Sequence, residues 1–309
     1  MFTAGRGRHV ALAAVAVGAV VALAGCATSD PLDEGSGTGA EGSSETIVIG
    51  SQAYYSNEII AEIYAQALEA NGFTVDRQFQ IGQREVYLPE IEAGKIDLFP
   101  EYTGNLLQFY EPDTEARTSD DVFAALQDAL PDGLRVLDQS PATDQDSYNV
   151  TKAFSDANGV TSLEDLAGVS TPLTLGGNAE LETRPYGPKG LKEVYGVEVG
   201  FTAIEDSGGA LTVKALVDDQ VQLVNIYSAD PNIKTNDLVT LDDPKGLFLA
   251  SNVVPLVSEK ITDEIADIIN EVSAALTAAD LVALNDQSVN QQRNADDIAA
   301  EWLESKGLV

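Results

Sequence analysis

From Thr46 onward the sequence alternates short β-rich runs with stretches of helical periodicity, and this alternation constrains the fold more than any other feature. Thr46-Ile-Val-Ile-Gly-Ser51 reads as a buried strand. The segment Glu58–Ala70 then places Ile59, Ile60, Ile63, Ala67 and Leu68 on one helical stripe, and Asn71-Gly72 stops it. The same pattern predicts strands at Thr74–Gln80, Ile96–Phe99, Leu173–Leu175, Val199–Ile204, Val221–Tyr227 and Val253–Val257. Helices are expected between them at Val86–Ala93, Asp120–Leu130, Gly190–Tyr195 and Ala210–Asp218. The C-terminal stretch reads as all-helical, with Thr262–Leu276, Asp280–Val289 and Asp296–Ser305. Thr277 with Asp280, and Ser162 with Asp165, have the spacing of capping boxes, with Asp in place of Glu. Gly176-Gly177 and Ser207-Gly208-Gly209 read as loop glycines, the second set opening a helix. Trp302 is expected to pack within the terminal helix bundle. Such alternation implies α/β lobes with mostly parallel sheets, and about 260 residues suffice for two modest lobes with separate cores.

The first 45 residues have a different character. Arg6 and Arg8 precede an apolar run from Val10 to Ala24, which closes on Leu23-Ala24-Gly25-Cys26. A basic segment, a short apolar run and small residues before a cysteine describe an export signal with a lipobox. The run is shorter than the roughly 20 apolar residues of a permanent membrane helix. Residues 1–25 are therefore expected to be a lipoprotein signal peptide, with Cys26 as the lipidation site. Cys26 is the only cysteine, so no disulfide is possible within the chain. A thioether lipid there would tether the protein to the outer face of the cytoplasmic membrane, and further acyl chains would make the anchor stable. Residues 26–45, rich in Gly, Ser and acids, read as a flexible spacer.

Charge and residue inventory exclude several functions. The chain has 17 basic and 50 acidic side chains, a net charge of −33, and cleavage before Cys26 makes the remainder two charges more negative. Nucleic acid, whose phosphates need a basic surface, is excluded as a partner. Anionic lipid would repel such a chain, so membrane contact is left to the lipid anchor. The one histidine, His9, lies in the leader. Without histidine or a second thiol, Ser-His-Asp and Cys-His catalysis and the common zinc sites are excluded. No enzyme activity, metal or cofactor is expected.

Several stretches together carry a resemblance. They are Ile49-Gly-Ser51 before a Glu58-led helix, Ile63-Tyr-Ala-Gln-Ala-Leu-Glu69, Gly82-Gln-Arg-Glu85, Pro100-Glu-Tyr-Thr-Gly104, Tyr186-Gly-Pro-Lys-Gly-Leu191, Tyr227-Ser-Ala-Asp230 and Asn252-Val-Val-Pro-Leu256. In order and spacing, residues 46–305 resemble the glycine betaine/choline/carnitine substrate-binding proteins of ABC importers. The resemblance implies a two-lobed periplasmic-binding-protein-like (type II) α/β fold with two crossing strands, closing on its ligand. Lobe 1 would comprise residues 46–145 and 252–309, and lobe 2 residues 146–251. It implies a monomeric carrier of a quaternary-ammonium osmolyte, handing it to a permease driven by an ATPase. The alternative is the same fold binding a different small solute, ergothioneine or an aromatic compound, or acting as a surface sensor without transport.

A quaternary ammonium has no N–H to donate, so aromatic ring faces must hold it, each worth ~0.5–2 kcal/mol when desolvated. A betaine carboxylate needs a guanidinium or similar donor. By the family's motifs, Tyr102 and Tyr227 match cage tyrosines and Arg184 the carboxylate-binding arginine. Four positions depart from the pattern. Gln52 stands where relatives often have lysine, Asn105 where they have threonine, and Ser147 and Ser251 where cage tyrosines are expected. Tyr54, Tyr55, Tyr148 and Tyr186 are candidates to complete the cage. Asp144 and Asp146 read either as turn residues or as counter-charges for a cation.

Overall fold

The computed structural model describes residues 46–309; the expected leader, Cys26 and the rest of the spacer lie outside the described residues. The chain first lays down β1 (Ile47–Gly50), α1 (Tyr55–Ala70), β2 (Val75–Gln78), α2 (Arg84–Glu92), β3 (Leu98–Tyr102), α3 (Thr103–Tyr110), α4 (Ser119–Ala129) and β4 (Leu134–Val136). A second group follows: β5 (Asp146–Thr151), α5 (Lys152–Asn158), β6 (Thr174–Gly177), α6 (Pro188–Gly190), β7 (Gly200–Ala203), α7 (Ala210–Val217), β8 (Leu223–Tyr227), α8 (Asn232–Thr235) and β9 (Leu238–Thr240). The chain then returns through β10 (Val253–Ser258) and ends in α9 (Asp263–Ala275), α10 (Ala278–Val289) and α11 (Ala295–Lys306).

The strands form two five-stranded sheets, ordered β2-β1-β3-β10-β4 and β7-β6-β8-β5-β9. This is a two-lobed α/β fold. The sheets are mixed rather than mostly parallel. In the first, β1 runs parallel to β2 and β3, whereas β10 is antiparallel to β3 and β4. In the second, β6 runs parallel to β7 and β8, whereas β5 is antiparallel to β8 and β9. The physical reason is the same in both. Crossover helices keep the other strands parallel, but β5 and β10 arrive from the opposite sheet with no such crossover.

Each sheet is covered on both faces. On the first, the stripe Ile59, Ile60, Ile63 and Tyr64 of α1 packs with Ile269, Val272, Leu284 and Trp302 of the C-terminal helices. Tyr87, Phe99, Leu106, Val122 and Leu126 fill the other face, where the Tyr87 and Phe99 rings stack at 4.1 Å. Leu163, Leu175 and Leu191 cover one face of the second sheet, and Val213, Leu216 and Ile226 the other. Each of these side chains contributes ~1.5–3 kcal/mol by leaving water. Both capping boxes form, at Ser162 with Asp165 and at Thr277 with Asp280.

Some elements differ from the expectation. Gly176 and Gly177 lie in β6, not in a loop. A Cβ at Gly177 would meet the tip of the Leu181 side chain at 2.6 Å, so a larger residue there would have to displace that side chain. The helix expected at Gly190–Tyr195 begins as α6 and widens into a looser turn through Leu191–Tyr195. Strand β3 extends beyond Phe99 to Tyr102, which carries that tyrosine to the sheet edge.

Candidate functional site

The strand ends that meet between the two sheets bring together most of the residues singled out in the sequence. Gln52 and Tyr54 follow β1, and Tyr102 ends β3. Tyr227 ends β8, and β5 begins opposite it, so Asp146 pairs with Tyr227. In open α/β sheets this carboxyl edge is where ligands bind. A close backbone approach completes the first side. A Cβ at Gly104 would lie 2.7 Å from the Ala250 carbonyl, so glycine there lets α3 sit against the returning chain and present Asn105.

Between these elements lies a small cavity of about 10 Å³, lined by Gln52, Tyr54, Arg84, Tyr102, Asn105, Asp144, Asp146, Arg184 and Tyr227. It has room for about one water molecule. Two tyrosines meet there from opposite sides, with the Tyr54 and Tyr227 ring centroids 4.8 Å apart. Tyr55 packs edge-on against Tyr54, also at 4.8 Å. Burial raises the phenol pKa of Tyr54, Tyr102 and Tyr227, so their hydroxyls stay protonated and the rings uncharged. The Tyr102 hydroxyl accepts from Asn57 Nδ2 at 3.3 Å, and that amide also donates to the Pro100 carbonyl at 2.7 Å.

Two carboxylates face the rings. Asp144 is 2% exposed; it accepts from the Tyr54 hydroxyl at 3.1 Å and the Ala229 N–H at 2.9 Å. Burial pushes its pKa up to about 7; these two hydrogen bonds oppose that, and Asp230 and Asp146 reinforce it. Asp146 accepts from Asn105 Nδ2 at 2.5 Å. The turn reading of this pair is corrected: Asp146 opens a strand, and both carboxylates are buried.

The guanidinium groups are already partnered. Arg84, on the first turn of α2, donates twice to Glu101 at 2.8 Å. Glu101 is fully buried and also accepts from Tyr87 at 2.5 Å and from the Tyr102 N–H at 2.8 Å. Arg184 reaches Glu85 at 3.2 Å and the Tyr186 hydroxyl at 3.4 Å. Further contacts cross the cleft. Gln83 donates to Ser207 at 3.2 Å, Ser207 to the Ala53 carbonyl at 3.2 Å, and Tyr55 to Asp230 at 2.8 Å.

Of the seven expected ligand-binding residues, Tyr102, Tyr227, Arg184, Asn105 and Gln52 line this cavity, and Ser147 and Ser251 do not. Ser147 turns its hydroxyl to the Ile226 carbonyl at 2.6 Å. Ser251 donates to Asn105 Oδ1 at 2.9 Å and so positions that amide from behind. Arg84 was not singled out, although it sits in the quoted Gly82-Gln-Arg-Glu85 stretch. Among the other tyrosine candidates only Tyr54 reaches the cavity; Tyr148 gives its hydroxyl to the Tyr186 carbonyl. A wider groove of about 910 Å³ runs between α8 and α10, but no aromatic ring lines it. It offers a quaternary cation no ring face to rest on.

Comparison with known proteins places these features in context. A family model described as the substrate binding domain of the ABC-type glycine betaine transport system matches residues 45–305. The glycine betaine-binding protein YehZ of Escherichia coli is 27% identical over 276 residues, covering 84% of this chain and 90% of that one. A glycine-betaine-binding protein of Pseudomonas aeruginosa is 26% identical over 280 residues, covering 86% and 89%. A crystal structure of a glycine betaine/carnitine/choline ABC transporter protein shares the fold with a TM-score of 0.68. It is 18% identical and covers 85% of this chain and 99% of that one.

Proposed function

The chain belongs to the family of substrate-binding domains of ABC-type glycine betaine transport systems, and from that premise we propose that it captures a small quaternary-ammonium or closely related cation between its lobes. It then delivers the solute to a membrane permease driven by an ATPase. One observation carries this reading. Two buried tyrosine rings, Tyr54 and Tyr102, and the half-buried ring of Tyr227 surround one cavity together with two buried carboxylates, Asp144 and Asp146. Ring faces attract a cation that has no proton to share. The carboxylates add opposite charge in a setting where water screens little. Arg184, at the same cavity, is the group for a solute carboxylate once Glu85 yields.

In this proposal lobe 1 is residues 46–145 with 252–309, and lobe 2 is residues 146–251. The cavity is too small for such a solute, so the lobes part to admit it and close around it. The protein works by binding and leaves the solute chemically unchanged. It is exported, held to the outer face of the cytoplasmic membrane by a lipid on Cys26, and acts as a monomer. The lipobox supports the anchor, and no helix among the described residues is long and apolar enough to cross a membrane.

A thermal-shift panel of choline, glycine betaine and carnitine tests the reading. A ligand at a hundred times its dissociation constant stabilises the folded chain by ~2.7 kcal/mol. An unchanged melting temperature across the whole panel would reject it.

A further inference from the structure

Two residues that line the cavity each carry a buried polar atom with no hydrogen-bond partner among the described residues. Asp146 is 3% exposed. Its Oδ2 is taken by Asn105, while its Oδ1 is buried and has no partner among the described residues. Gln52 is 6% exposed; its Nε2 is likewise buried without an acceptor. The two residues come from opposite sheets and line the same cavity. The other amide and charged donors around the cavity are engaged. Arg84 is held by Glu101, Arg184 by Glu85 and Tyr186, and Asn105 by Asp146 and Tyr186. A buried carboxylate oxygen without a donor is costly, more so than a neutral group. A trimethylammonium offsets part of that cost by its charge but makes no hydrogen bond to the free oxygen, because it has no N–H or O–H to donate.

We infer that the solute carries a hydrogen-bond donor of its own, an N–H or an O–H, which Asp146 Oδ1 accepts. Gln52 Nε2 donates to an oxygen of the same solute. This rests on the reading of the cavity as a cation site and narrows it. The favoured solute is a partly methylated ammonium or a hydroxyl-bearing quaternary cation, and glycine betaine, which has neither group, is disfavoured. Asp146 and Gln52 are thereby specificity-determining residues. Sites built around a solute N–H or O–H discriminate strongly against the analogue that lacks it, because their buried groups are then left unpaired.

Calorimetric titration of the full chain with choline, dimethylglycine and glycine betaine tests this. At least one of the two donor-bearing solutes is expected to bind tenfold or more tightly than glycine betaine. Dimethylglycine leading identifies an N–H, and choline an O–H. Asp146→Ala is expected to narrow that preference below threefold. Glycine betaine binding as tightly as both others in the wild type overturns the inference while leaving the cation site standing. A tenfold preference that survives Asp146→Ala also overturns it, by placing the donor elsewhere. If none of the three binds, the cation site falls and the inference with it. The wild-type ranking decides the matter even where the variant does not fold.

Discussion

Asp144 should make solute binding depend on pH in the physiological range. Its carboxyl is buried beneath the Tyr54 hydroxyl, with Tyr55, Tyr102, Asp146 and Asp230 around it, and its pKa is pushed from 3.8 to about 7, chiefly by burial. In the ligand-free chain the sign is clear. A raised pKa means that the folded state prefers the protonated acid. That stability is fully present below the ordinary carboxyl pKa and is lost as pH climbs through about 7. The whole loss is about 4 kcal/mol, at 1.36 kcal/mol per pKa unit. A bound cation reverses the preference, since it attracts the ionised form. At pH 6 roughly nine in ten Asp144 side chains hold a proton, and at pH 8 roughly one in ten. Affinity for choline, which does not titrate in this range, is therefore expected to rise about tenfold from pH 6 to pH 8, with proton release on binding near neutrality. Calorimetry in buffers of different ionisation enthalpy measures both quantities. Asp144→Asn should flatten the profile. A wild-type affinity that is flat across this range, with no proton released, would refute the argument.

Three further outcomes are expected. Glu101→Gln strands the Arg84 charge in a fully buried site and weakens the grip on the Tyr102 N–H. It should lower stability by ~3–5 kcal/mol, read from the urea midpoint, and a loss under 1 kcal/mol would contradict the account. Small-angle scattering should register compaction on adding saturating choline, with the lobes turning about segments near Asp146–Val150 and Ala250–Val253. An unchanged radius of gyration would count against closure. Cys26→Ser should release the exported protein from the membrane, and failure of metabolic labelling to find lipid on the wild type would remove the anchor.

The fold was legible where side chains repeat with a clear period. The α1 stripe, the apolar β1 and β10, the C-terminal helices and both capping boxes come straight from such patterns. Strand β5 was not legible, because Asp146-Ser-Tyr-Asn-Val-Thr151 is largely polar and its alternation rests on two apolar residues only, Tyr148 and Val150. Tyr148 and Val150 pack into the core, while Asp146, Ser147 and Asn149 are kept polar for the cleft and its hydrogen bonds, which masks the β signal. Helix α3 was missed for a related reason. It starts abruptly at the end of β3, with Gly104 placed for a close backbone approach rather than for helix propensity. At the site, local motifs singled out Tyr102, Tyr227 and Arg184. They did not separate Ser147 and Ser251, which hold the backbone and Asn105, from residues that face the cavity. That distinction depends on side-chain direction, which spacing does not fix. Arg84 escaped notice because only the fold brings it to Glu101 and the cavity.

The central claim is that tyrosine rings hold a cation between the lobes, and calorimetry with choline on Tyr102 and Tyr227 variants tests it most directly. Tyr→Ala at either position is expected to weaken binding by ~1–3 kcal/mol, from lost cation–π attraction and lost apolar contact. Tyr→Phe should cost less, because the ring face remains. Wild-type affinity in both alanine variants would contradict the claim and move the solute out of this cavity.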